Sequence, residues 1–436
     1  MDHVRALVAR HFAGSGSTLS IGGIPATALA ASHGTPLFVY DAGILDRQLA
    51  LLRATYPPEF DIAYSIKANP CPAIVRHFVA AGLGLEVASA GEFHQTQRAG
   101  CPPGRVLFAG PGKTETELAY VLERGIGEIH VESEREAERV EEIAARLGVR
   151  ARVALRINPG PDAQGGAMRM GGKPAPFGVD EERIDPVVDR LAKSAHVEFQ
   201  GIHLFTGTQI LDDGVLVHQY RKGVEIARRV AGRIGRPLQV VDFGGGLGIP
   251  YFPSESPLPM DRLAEGLRAL AAEVRADARL RGTRLLIEPG RYLAGEAGVY
   301  LTRVNDIKES RGKTFLIVDG GMNHHLAASG NLGQVIKRNF PIAVANRLEE
   351  PAGAAVDVVG PLCTPLDVLA RDVTLPEARV GDLVAIFQSG AYGRTASPLG
   401  FLSQPSPAEV FVHDGSATLV RRRGTYEDAL WDAVGS

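Results

Sequence analysis

Cysteine is scarce in this 436-residue chain: Cys71, Cys101 and Cys363 are the only three. They are too few for a disulfide framework, and they form no metal-ligand cluster. Long hydrophobic runs are absent as well. No apolar stretch approaches the roughly 20 residues a membrane-crossing helix requires, and Met1 to Ser17 lacks the apolar core of a signal peptide. Excess charge of either sign is missing too. The formal net charge is -3, so nothing points to nucleic acid. These absences exclude secreted disulfide scaffolds, membrane proteins and nucleic-acid binders, and leave the expectation of a cytoplasmic protein.

What is present is an ordinary globular composition, 45% hydrophobic and 22% charged, with 51 glycines. The length suits two domains at about 150 residues each. From about residue 60 to 290, short β-branched runs alternate with helical spacing. The runs are Ile62–Lys67, Leu83–Ala88, Arg105–Ala109, Glu128–Glu132, Arg152–Asn158, Phe199–Phe205, Gln239–Phe243 and Arg284–Glu288. Apolar residues recur at helical intervals in Thr116–Arg124, Ser133–Leu147, Glu181–Lys193, Gly214–Arg233 and Met260–Ala276. Eight strands alternating with helices predict an α/β fold, a (β/α)₈ TIM barrel, with a doubly wound open sheet as the alternative. The rest reads as short strands with Gly/Pro punctuation, including Pro36–Tyr40, Lys313–Asp319, Ala355–Val359, Leu383–Phe387 and Glu409–Val412. A mainly β domain assembled from both termini is expected, with the barrel over 42–290 and the second domain over 1–41 and 291–436.

In such a barrel, chemistry gathers where strands end. Lys67 follows an apolar run and precedes Asn69-Pro70. Desolvated there, its amine would be the nucleophile of a Schiff-base enzyme; it could also be an ordinary snorkelling lysine. Gly244-Gly245-Gly246 lets backbone N–H groups approach an anion, although a glycine run also serves as a plain turn. It lacks the spacing of a dinucleotide fingerprint and the Lys-Ser/Thr of a P-loop. Glu288 could pair with a ring nitrogen and Arg291 with a phosphate, or the two could form an internal ion pair. The strand ends show no metal-ligand spacing. His324-His325, as neighbours on a strand, would face opposite ways. A lysine, a phosphate loop and a carboxylate at strand ends together describe pyridoxal 5'-phosphate held as an imine.

The ordered motifs Tyr64–Pro70, Glu86–Glu92, Arg156–Pro159, Gly201–Ile210, Asp242–Tyr251, Glu288–Arg291, Asp319–Met322, Gly360–Asp367 and Gly390–Gly393 resemble the fold type III pyridoxal-phosphate decarboxylases, the family of ornithine, arginine and diaminopimelate decarboxylases. The resemblance runs from about Thr35 to Tyr426. It implies that Lys67 carries the cofactor and that Glu288 keeps its ring nitrogen protonated. It also implies that Gly244, Gly245, Gly246, Arg291 and Tyr392 hold the phosphate. Glu86 and Arg156 would line the ring, with Phe205, Thr208 and Gly290 completing the cofactor site. Cys363 is the implied proton donor, delivered from the partner subunit of a head-to-tail homodimer with shared active sites. A buried, inert packing role is the other reading of that cysteine.

Three departures bear on the substrate. Phe205 stands where the family commonly has histidine or serine. Thr364-Pro365 follows Cys363 where diaminopimelate decarboxylases carry Glu-Ser. Asn323–Gly330 replaces the usual Arg-Pro-containing run. The motifs are more similar to a branch from biosynthetic gene clusters, some of whose members act on an amino acid tethered to an acyl carrier protein. Lys337-Arg338 and Arg421-Arg422-Arg423 would then meet an acidic carrier, or are solvated surface charge. The expected activity is decarboxylation of an L-amino acid or derivative. Diaminopimelate decarboxylation and amino-acid racemisation on the same fold are the alternatives.

Overall fold

The computed structural model describes residues 2–12, 14, 16–160, 168–169, 174–334 and 336–435. The chain divides into two compact units. One comprises Leu49–Ile249 and Pro257–Tyr292; the other comprises Met1–Gln48, Pro250–Ser256 and Leu293–Ser436.

The first unit is the expected barrel. Its strands are β1 (Phe60–Ser65), β2 (Gly84–Val87), β3 (Val106–Phe108), β4 (Glu128–Val131), β5 (Ala151–Asn158), β6 (Val197–Leu204), β7 (Val240–Asp242) and β8 (Arg284–Ile287). Each pairs in parallel with the next, and β8 returns to β1 with Leu285 opposite Phe60 and Ile287 opposite Ile62. The closed ring rules out the open sheet. β1 ends at Ser65, so Lys67 lies just past the strand, in a 3₁₀ turn over Ile66–Ala68. The expected helices form, bounded by their local chemistry. Thr114 and Glu117 make a reciprocal capping box at the start of Glu115–Glu123. Ser133 caps Glu134–Leu147, which stops at Gly148 in the left-handed region. Two further helices, Pro72–Ala80 and Ala90–Arg98, follow β1 and β2. The sequence reading did not pick them out.

The second unit is mainly β, as expected. Leu37–Asp41 is stitched between two strands from the far end of the chain. It runs antiparallel to Gly298–Ser310, with Tyr40 opposite Gly298, and parallel to Ala408–His413, with Leu37 opposite Ala408. Both chain ends therefore build one sheet. The unit also contains two helices, Asp2–His11 and Ala26–His33, where short strands alone were expected. One further expectation is corrected here. His324 and His325 do not lie on a strand but in consecutive turns, and both are buried. Their side chains need not diverge, because the alternation rule applies only to extended chain.

Candidate active site

Alternation along β4 sends Glu128 and His130 to one face of the strand. His203 comes from β6, Asp242 ends β7 and Glu288 follows β8. These side chains are all at least nine-tenths buried. His130 and His203 stack with ring centroids 4.4 Å apart and planes 21° from parallel. His130 Nε2 lies 3.0 Å from Glu128 Oε1 and 3.7 Å from Asp242 Oδ2. Glu288 Oε2 is 3.4 Å from His203 Nε2, and Glu288 Oε1 is 3.9 Å from His130 Nδ1. Burial first, then the neighbouring His130 and Arg156, drives His203 well below the usual imidazole range, so it is neutral. Burial and the negative Glu288 push the Asp242 carboxyl well above the carboxylate range, so it holds its proton beside Glu288.

Lys67 donates two hydrogen bonds to Glu86, at 3.0 and 2.9 Å. Glu86 is fully buried and also accepts from the Ser65 hydroxyl, whereas the Lys67 side chain remains 42% exposed. The amine is thus held by a carboxylate yet open to a reactant. Gly290 closes against the same turn: a Cβ there would sit 2.8 Å from Ala68 Cβ and 3.0 Å from Ser65 O. The run Gly244–Gly246 is built for close approach. Gly244 and Gly246 have φ of +65° and +110°, and added Cβ atoms would meet Leu204 O at 2.6 Å, Glu288 O at 2.7 Å and Gly207 O at 2.9 Å. Asp242 Oδ1 accepts the Gly244 N–H at 2.8 Å and sets the bend. The half-buried Phe205 ring lies against Gly244, and Thr208 follows on the next short strand.

Arg156 lies within 5.9 Å of the Phe205 ring centroid and donates to Glu132 at 2.8 Å. Glu132 also accepts the Gly110 and Gly178 N–H groups at 2.6 and 3.1 Å. Burial alone would raise this carboxyl. Arg156 and Lys113 overcome that and hold it below the ordinary range. The barrel unit therefore joins Lys67, Glu86, Arg156, Phe205, Gly244, Gly245, Glu288 and Gly290 through a chain of contacts. Gly246 and Arg291 are next to them in sequence, and Thr208 lies three residues after Phe205. Cys363 and Tyr392 belong to the other unit. Cys363 is exposed rather than buried, and Tyr392 takes a left-handed φ of +53° in the Gly390–Gly393 turn.

Sequence reasoning did not single out Glu128, His130, Glu132 or His203. Charged or titratable residues at every second position of an otherwise apolar strand, as in Glu128-Ile129-His130-Val131-Glu132, are the signal that could have found three of them. Chain spacing likewise hid the convergence of His130, His203, Asp242 and Glu288, whose donor atoms all lie within 4.8 Å of one another. That set contains cation-ligand types, but it also suits a protonated ring nitrogen. Glu288 Oε1 is buried and accepts from no N–H group among the described residues; its polar neighbours are the protonated Asp242 carboxyl and, at 3.9 Å, His130 Nδ1, which leaves the carboxylate able to receive an N–H donor. With an amine and an anion cradle on the same barrel, these residues fit pyridoxal phosphate.

Comparison with known proteins agrees. Residues 43–295 match the family described as "Pyridoxal-dependent decarboxylase, pyridoxal binding domain". The chain is 38% identical over 407 residues to an L-glutamyl-[BtrI acyl-carrier protein] decarboxylase of Niallia circulans, covering 93% of this chain and 95% of that protein. It is 34% identical to the diaminopimelate decarboxylase of Aquifex aeolicus (strain VF5), over 94% of both chains. Among solved structures, a diaminopimelate decarboxylase from M. jannaschi superimposes with a TM-score of 0.88 at 28% identity, over 97% of both chains.

Proposed function

The chain belongs to the pyridoxal-dependent decarboxylases, and from that premise we propose that it decarboxylates an L-amino acid presented on an acyl carrier protein, with the L-glutamyl thioester as first candidate. The observation that carries the decarboxylase reading is Lys67, held by Glu86 in a barrel that also offers the glycine cradle and the buried Glu288 carboxylate, which accepts from no N–H group among the described residues. The carrier-bound form is supported by the likeness to the Niallia circulans enzyme over nearly the whole chain. It is also supported by Thr364-Pro365, which offers no carboxylate to read the distal amine of diaminopimelate.

Pyridoxal phosphate, when bound, supplies an electron sink for the pair released as carbon dioxide leaves. The chain's own residues prepare that step. Glu86 can accept a proton from Lys67 Nζ, freeing the amine as a nucleophile. Glu288, beside a neutral His203 and a protonated Asp242, is the carboxylate left to hold a positive ring nitrogen. The Gly244–Gly246 backbone and Arg291 would bind the phosphate, with Tyr392 assisting. Cys363 is exposed in the single chain, consistent with delivery to a partner subunit's site in a homodimer, where its thiol would return a proton to carbon.

The test is mass-spectrometric detection of carbon dioxide loss across free amino acids and aminoacyl carrier proteins. Turnover of the L-glutamyl carrier with little on free meso-diaminopimelate is expected. Preferred turnover of free diaminopimelate would replace the carrier reading, and racemisation without carbon dioxide would overturn the decarboxylase.

A further inference from the structure

Residues of the second unit enclose a cleft of about 1040 Å³ with an apolar floor that includes Val8, Phe252, Phe340, Ile342 and Leu369. Its rim is cationic. Arg5, Lys337 and Arg371 are exposed on it, and none of the three has a carboxylate partner among the described residues. Lys337 reaches only a neutral acceptor, Asn331 Oδ1, at 2.5 Å. Glu349 adds one exposed carboxylate with no ion pair among the described residues, and the other rim charges are engaged. Arg338 lies 3.4 Å over the Phe252 ring and 3.2 Å from Glu255, Arg347 pairs with Asp382, and Asp372 pairs with Lys313. Three cations without an ion pair among the described residues, against one such carboxylate, leave the rim net positive over an apolar floor, in contrast with the net charge of -3 on the whole chain.

The other basic run makes no such surface. Arg421 is ion-paired to Glu409, Arg422 makes a two-pronged pair with Asp428 at 2.6 and 2.7 Å, and Arg423 donates to His33 O. Of the two basic segments picked out in the sequence, Lys337-Arg338 is therefore the one beside a surface that can receive a partner. Ile336, 77% exposed, extends the apolar ground there.

We propose that this cleft docks the acyl carrier protein, an inference that rests on the carrier reading above. The occupant is an amphipathic helix whose apolar face enters the cleft while flanking carboxylates meet Arg5, Lys337 and Arg371. Burying an apolar helix face supplies affinity, and complementary charge supplies orientation and encounter rate. A cationic rim over an apolar floor selects an acidic amphipathic partner and disfavours a basic or uniformly polar one. The rim contacts, being exposed, are screened by salt.

The test uses full-length, cofactor-loaded enzyme with the L-glutamyl-loaded carrier protein, comparing wild type with R371E and with the triple variant R5E/K337E/R371E. The triple change should raise KM for the loaded carrier by about tenfold or more at low salt while kcat holds, with R371E intermediate and added salt narrowing the gap. The imine absorbance and sedimentation behaviour of each variant should match wild type. An unchanged KM in the triple variant, with wild type active on the carrier, would overturn the cleft and leave the carrier reading standing. A variant that changes its oligomeric state would instead assign the cleft to contact between copies. Wild type inactive on any loaded carrier but active on free amino acid would remove the carrier reading and the docking site together.

Discussion

Two pairs of buried histidines show how differently the same side chain is used in the two units. In the barrel, His130 and His203 stack on each other among Glu128, Asp242 and Glu288, and several of the facing nitrogens and oxygens have no hydrogen-bond partner among the described residues. In the β unit, His324 lies 3.3 Å from the Tyr300 hydroxyl and His325 lies 2.9 Å from Ser389 Oγ. The second pair contacts hydroxyl groups and faces no carboxylate cluster, although His324 Nε2 also lacks a hydrogen-bond partner among the described residues and Arg423 and Arg394 act on that ring. The first belongs to a group of titratable residues that stays polar, crowded and incompletely satisfied, a costly arrangement that is typical of a functional site. Burial alone does not separate the two cases, but the carboxylates crowded around the first pair do.

The largest effect expected on the barrel side is from Lys67→Ala, which should abolish the imine absorbance and reduce carbon dioxide release to background. Retained absorbance would remove Lys67 from the cofactor. Glu288→Gln should lower kcat on the order of 10²–10³-fold with cofactor still bound, as removal of a positioned electrostatic partner does. Activity near wild type would show that the Glu288 carboxylate has no such role. Next, Glu132→Gln leaves the buried Arg156 guanidinium without its ion pair and should cost about 3–5 kcal/mol in urea unfolding. A negligible cost would mean that Gly110, Gly178 and water suffice to satisfy that corner.

The remaining effect lies on the β side, touches stability rather than turnover, and depends on pH. Burial lowers His324 to about 4 and His325 to about 3. In the unfolded chain both titrate near 6.5, so below that pH the unfolded state binds more protons than the folded state. Stability present above pH 6.5 is therefore lost as pH falls toward 4, at up to about 1.4 kcal/mol per pH unit for each imidazole. Unfolding measured at pH 7 and pH 5 should show a shallower decline for His324→Gln/His325→Gln than for wild type, while turnover per folded molecule at pH 7 is retained. His203 contributes a decline of the same sign in both proteins, so only the difference reports on the β unit. Loss of turnover in that double variant, with cofactor still bound, would erase the contrast between the pairs.

Much of the barrel was legible because its signal is local. Val153, Ala154 and Leu155 read as a strand whatever surrounds them, and Met260–Ala276 carries its helical period in full. Lys67, the glycine run and Glu288 were visible because each breaks an apolar run at its end. The His130–Asp242–Glu288 cluster was not visible, since no spacing within one strand encodes which residues of other strands will face it. The sequence by itself determined the alternation of strands and helices and the ordered motifs, and it put Lys67 forward as the proposed amine. Tertiary structure alone decided three other things: the company Glu288 keeps, the placing of His324 and His325 in turns, and the difference between the free rim cations Arg5, Lys337 and Arg371 and the spent charges of Arg421–Arg423. The physical reason is that charge state and hydrogen-bond satisfaction depend on neighbours within a few ångströms, and closing the barrel and weaving both chain ends into one sheet is what brings those neighbours together.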